Sequence, residues 1–149
     1  MPGPSTQRQQ QQQHRDEPRT KYTDLEDGAI SGNMTRDAEL RFTPEGRAVA
    51  TLRVAETLRV KDPNSDKWGD GPTNFYDVVV WGDQANNVTE DLKSGDRICV
   101  VGKWQRQDWT ADDGEQKSKT VLVARDMGPS LLFTRAAIQR KPRKGNNGQ

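Results

Sequence analysis

The sequence predicts an all-β fold, a small barrel of about five strands with one short helix, and three observations carry that expectation. All of the aromatic residues lie between Tyr22 and Phe133, so one segment can hold a core while the ends cannot. Within that segment most apolar residues alternate with polar ones at period two, the strand period. The period changes to a helical one only once, after the third strand-like run.

The chain has 149 residues, which fits one domain with tails better than two domains. Hydrophobic residues make up 30% of it and the mean hydropathy is −1.06. That average lies close to disorder, but it misleads because the polar residues collect at the ends. Residues 1–21 are rich in Gln, Pro and Arg, with an unbroken run from Gln9 to Gln13, and are expected to be a disordered tail. The single histidine, His14, falls there and reads as a solvated tail residue rather than a metal ligand or catalyst. Residues 134–149 are expected to form a second disordered tail, a basic one, leaving 22–133 as the folded domain.

The first strand begins near Leu25, where Ile30, Gly32 and Met34 alternate with polar or small residues. Thr43-Pro44-Glu45-Gly46 reads as a tight turn. The next run, Ala48 to Val60, puts Leu52 and Val54 on one face and Thr51, Arg53 and Ala55 on the other, a half-buried strand. Lys61 to Thr73 reads as a long charged loop with Asp62-Pro63-Asn64, Gly69 and Gly71-Pro72. It carries Trp68, which either marks a contact surface or folds back onto the domain. Phe75 to Trp81 is the third strand, ending at Gly82.

Asp83 can cap a short helix whose Ala85, Val88 and Leu92 share one side, with Gly95 at its C-terminal end. Arg97 to Trp109 is a long strand, Asp113-Gly114 signals a hairpin, and Lys117 to Asp126 returns as its partner. The lone cysteine, Cys99, excludes an intrachain disulfide; within Ile98-Cys99-Val100-Val101 it is expected to be a buried, inert thiol. A helix between the third and fourth long strands favours the OB-fold over a sandwich. No apolar stretch is long enough to span a membrane and no hydrophobic signal segment opens the chain, so a cytoplasmic protein is expected.

Several stretches resemble bacterial single-stranded DNA-binding proteins, the SSB family. They are Gly32 to Gly46 with Ala48-Val49-Ala50, Phe75 to Gly82, the Ala/Asn/Glu-containing helix, and Leu92-Lys93-Ser94-Gly95-Asp96-Arg97. Asp126-Met127-Gly128-Pro129-Ser130-Leu131 is similar to the end of that domain in actinobacterial members. The resemblance covers Leu25 to Phe133 and implies an OB-fold that binds single strands without sequence preference, in replication, recombination or repair. It also implies a homotetramer.

Such proteins combine aromatic platforms for base stacking with cations for phosphates. Phe75 and Trp81 have the same parity on one strand and match positions where the family stacks bases; Trp109 matches a third. Trp104 has the opposite parity to Trp109 and faces the other side unless a bulge intervenes. Arg53, Arg59, Lys61, Lys103 and Arg106 are candidate phosphate contacts, each with solvated surface charge as the alternative. Trp68 completes the candidate set.

Charge does not make the case. The tails carry +2 and +5 of a total of +1, so residues 22–133 are net −6 and need a local basic track. Val60 stands where many relatives carry an aromatic, and Asp83 and Asp108 where some carry lysine, which implies weaker or differently routed binding. The chain closes on the basic Lys141-Pro142-Arg143-Lys144 and four-residue Gly145 to Gly148 stretch before Gln149, where family members typically carry an acidic tip. Recruitment of repair or replication proteins by such a tip is therefore not expected, and the form suits a specialised or phage-like member.

Three other classes stay in view: an RNA-binding or replication-accessory OB-fold, an interaction barrel that has lost DNA binding, and an enzyme such as a nuclease. Asp112, Asp113 and Glu115 cluster, but on a hairpin turn where Asp serves turn geometry. No phosphate loop, nucleophile motif or His/Cys cluster accompanies them. No catalysis, cofactor or metal is expected.

Overall fold

The computed structural model describes residues 19–142. The Gln9–Gln13 run, His14 and the last basic residues, Arg143 and Lys144, lie outside the described residues. The elements in chain order are β1 (Lys21–Met34), β2 (Glu39–Phe42), β3 (Ala48–Lys61), β4 (Trp68–Trp81), α1 (Asp83–Asp91), β5 (Arg97–Thr110) and β6 (Gln116–Pro129). One sheet runs β1-β5-β6-β4-β3-β2, and an extra β1–β3 pairing through Asn33↔Ala55 and Met34↔Val54 closes the long strands into a ring. β6 lies parallel to β4, and the other pairs are antiparallel. A ring of five long strands with one helix between β4 and β5 is the OB-fold arrangement.

The ring interior is made by alternation. Ala48, Ala50, Leu52 and Val54 of β3, Val78 and Val80 of β4, and Ile98 and Val100 of β5 are buried with Ile30, Met34 and Leu122. α1 adds Ala85 and Val88, with Leu92 just beyond it. Burying the valine, leucine, isoleucine and methionine side chains among these contributes roughly 1.5–3 kcal/mol each.

The structure corrects five expectations. β2 is a strand that local alternation did not announce, because it is four residues long and only Leu40 turns toward the core. The charged stretch after Val60 is not a long loop: β3 and β4 pair out to Lys61↔Trp68 and leave a turn of residues 62–67. Asp62 holds that turn, its side chain accepting from the Asn64 N–H at 2.9 Å. The outer part of this hairpin has no core beneath it: Leu58 and Val60 alternate with polar residues on β3 yet stay exposed, and the β4 arm from Trp68 to Asn74 carries no apolar alternation even though the backbone pairs.

Gly82, not Asp83, is the N-cap of α1, and Asp83 is its first residue, placing a carboxylate in the first turn where the helix dipole favours it. The helix closes at Leu92; Gly95 belongs to a following turn and donates its N–H to the Met34 carbonyl at 2.8 Å. Cys99 is exposed, since alternation puts Ile98 and Val100 inside the ring and turns Cys99 outward.

The β5–β6 turn forms as expected. Gly114 takes φ 85°, where a side chain is strained, and its N–H donates to the Ala111 carbonyl at 2.8 Å. Residues 131–142 have no helix or strand and are exposed, and Lys141 Nζ donates to the Asn87 side chain.

Candidate nucleic-acid interface

The residues of β3 and β4 that do not enter the core form a continuous outer surface. Cross-strand partners point to the same side of a sheet. The pairs Val49↔Trp81, Thr51↔Val79, Arg53↔Asp77 and Ala55↔Phe75 therefore share that surface. Phe75 is 53% exposed and Trp81 half-buried, and the two stand about 20 Å apart along the strand.

Farther out, an irregularity between Thr57 and Arg59 matters more than any local signal. Two steps along β3 there match three along β4, from Thr73 to Asp70. The extra residue reverses parity on β4, so Trp68 joins the side of Phe75 and Trp81 although its number is even. Trp68 is 60% exposed and pairs with Lys61, so it extends the aromatic row rather than folding back onto the domain.

The surface continues onto the other hairpin. Val121 of β6, itself fully buried, lies beside Asp77 in the parallel register and opposite Gln105 of β5. Following parity from Val121 places Lys119 and Lys117 on the outer side, with Lys117 paired to Trp109. Trp109, half-buried, thus shares the surface of Phe75, Trp81 and Trp68.

Trp104 and Arg106 lie on the opposite side. Trp104 pairs with the core residue Leu122, packs against the core cluster and meets the Tyr76 ring at 5.7 Å between centroids. The β5–β6 irregularity near Val101 leaves β5 itself in continuous register with β1 from Lys103 to Arg97, so no bulge turns Trp104 outward. Arg106 bonds Asp108 at 3.0 Å on that same inner side.

The cations of the outer surface differ in what they already hold. Arg59 bonds Asp70 at 2.9 Å and Lys61 bonds Asp66 at 3.3 Å, both on the β3–β4 hairpin. These pairs are largely exposed, and such pairs contribute about 0–1 kcal/mol, so neither cation is tightly held by its carboxylate. Lys103 points outward next to Asp27 of β1 without an ion pair among the described residues.

Arg53 lies with its Cζ 4.9 Å from the centre of the Phe75 ring. Arg47, which sequence reasoning missed, stands 4.5 Å from the centre of the Trp81 ring. Its signal was parity: Arg47 precedes Val49, Thr51 and Arg53 at steps of two. Lys119 was missed as well, because its side follows only from the β5–β6 register.

A net acidic domain therefore presents a local basic and aromatic face: Arg47 just before β3, Arg53, Arg59 and Lys61 along it, and Lys117 and Lys119 on β6. Asp112, Asp113 and Glu115 serve the turn, where the Asp113 side chain accepts from the Glu115 N–H at 2.9 Å. Among the described residues no group of His, Cys, Asp and Glu is arranged to hold a metal, and no helix is long and apolar enough to cross a membrane.

Comparison with known proteins agrees with this geometry. Residues 25–130 match the model of the single-strand binding protein family. A single-stranded DNA-binding protein of Corynebacterium glutamicum is 42% identical over 118 residues, covering 79% of this chain and 52% of that protein. One from Paenarthrobacter aurescens is 40% identical over 119 residues, covering 80% of this chain and 70% of that protein. The chain thus spans about half the length of the first relative and more of the second. Among solved structures, the small single-stranded DNA-binding protein from Streptomyces coelicolor superposes with a TM-score of 0.60 at 25% identity, covering 73% of this chain and 96% of that one.

Proposed function

The chain belongs to the single-strand binding protein family, and on that premise we propose that it binds single-stranded DNA without sequence preference along the outer face of β3, β4 and the β5–β6 hairpin. The observation that carries this reading is the shared side of Trp68, Phe75, Trp81 and Trp109, with arginines and lysines between them. Each base stacked on such a ring contributes about 1–3 kcal/mol, and each phosphate contact adds affinity that falls with salt.

In this reading Phe75, Trp81, Trp109 and Trp68 take bases, while Arg53, Arg59, Lys61 and Lys103 take phosphates. Trp104 drops out because it packs onto the core, and Arg106 because it lies on the side opposite the aromatic row, exposed and bonded to Asp108. The role is binding rather than catalysis: bound strands are covered and kept from pairing during replication, recombination or repair. A cytoplasmic location and a homotetramer follow from the same family reading.

Fluorescence anisotropy of labelled oligo(dT), competed by duplex DNA and by oligo(U), tests it. Competition by unlabelled oligo(dT) alone is the expected result. Equal competition by oligo(U) would favour the RNA-binding reading, and absence of binding at low salt would leave an interaction domain.

A further inference from the structure

Two guanidinium groups lie where bases would stack. Arg47 Cζ is 4.5 Å from the Trp81 ring centre and Arg53 Cζ is 4.9 Å from that of Phe75. At that separation a guanidinium occupies the ring face by a cation–π contact. Trp81 is half-buried, and the Arg47 guanidinium covers one face of its ring. Among the described residues neither arginine has a carboxylate within ion-pair distance, although Asp77 is the register partner of Arg53.

Arg47 is also held in place by its backbone. The Thr43 N–H donates to the Arg47 carbonyl at 2.9 Å, and the Arg47 N–H donates to Thr43 Oγ1 at 3.1 Å. These bonds close the turn between β2 and β3 and leave the side chain free to swing about a fixed point.

Resting on the single-strand reading above, we propose that Arg47 and Trp81 form one nucleotide subsite with two states. In the free protein the guanidinium covers the indole. In the complex a base takes the ring face and the displaced guanidinium, still within side-chain reach, takes the adjoining phosphate. The planar fork suits a phosphate in two-point contact, and its weak hydration suits the ring, so one group serves both states. Arg53 over Phe75 repeats the arrangement farther along β4.

The two states oppose each other, and salt separates them. The phosphate contact weakens as counterions compete, while displacement from the ring is required at any salt concentration. Oligo(dT) affinity is therefore measured for the wild type, Arg47→Ala and Arg47→Lys over a salt series. Circular dichroism serves as a check of folding, since no backbone bond of the turn uses the substituted side chain.

The wild type and Arg47→Lys are expected to share one slope of log K against log salt. Arg47→Ala is expected to have a slope smaller in magnitude by about 0.7. It binds several-fold more weakly than wild type at low salt and as tightly or more tightly at high salt, so the two lines meet or cross. A slope for Arg47→Ala equal to that of the wild type would overturn the subsite while leaving single-strand binding intact. A wild type that fails to bind at low salt would overturn both.

Discussion

The Trp104 indole meets the Tyr76 ring at 5.7 Å between centroids, with the planes inclined at 48°, and both rings pack onto the core cluster from inside the strand ring. Trp109, five positions later on the same strand, faces outward. The two tryptophans of β5 thus face opposite sides, and under the proposed function substitution separates their effects. Trp104→Ala is expected to lower stability by about 3 kcal/mol, read by chemical denaturation, while the folded variant binds oligo(dT) as the wild type does. Trp109→Ala is expected to do the reverse: weaker binding by about 1–3 kcal/mol with little loss of stability.

Gly28 makes room for that indole. A Cβ at position 28 would stand 2.1 Å from Trp104 Nε1. Gly28→Ala is expected to cost about 1–3 kcal/mol in a denaturant titration. Because the clash is with one side chain, combining it with Trp104→Phe is expected to cost less than the two single effects added together. Strict additivity would mean that the indole does not set the requirement at position 28.

Trp68 extends the aromatic row onto the β3–β4 hairpin, where nothing of the core lies beneath it. Trp68→Ala is expected to weaken binding of long oligonucleotides by about 1–3 kcal/mol and to leave the thermal midpoint unchanged. Equal affinities of wild type and variant across oligonucleotide lengths would remove Trp68 from the track.

Cys99 faces out of the ring between the buried Ile98 and Val100. Cys99→Ser is expected to change stability by no more than about 0.5 kcal/mol, the usual range for a surface substitution. A loss of several kcal/mol would mean that the thiol is covered in the assembled protein.

What could be read in the sequence was whatever depends on neighbours along the chain. Leu52 against Arg53, Phe75 with Trp81, Trp104 against Trp109, and the helical spacing of Ala85, Val88 and Leu92 all follow from local period, and the structure keeps each of them. What could not be read depends on register between strands. Trp68 changes sides because β4 carries one extra residue relative to β3, which no local pattern records. Lys119 and Lys117 reach the track only through the β5–β6 pairing. Ile98 to Val101 reads as a wholly buried run, yet an antiparallel strand with one face on the core exposes every second member, and Cys99 is one of these. β2 is too short to show a period at all.

In the proposed function bases stack on the outer tryptophans with phosphates held beside them. Intrinsic tryptophan fluorescence during titration with oligo(dT), at low and at high salt, tests it most directly. Strong quenching that weakens as salt rises is expected, lost for the most part when Trp81 and Trp109 are both replaced by alanine and retained when Trp104 alone is replaced. Absence of quenching at low salt, in protein shown to be folded, would contradict it.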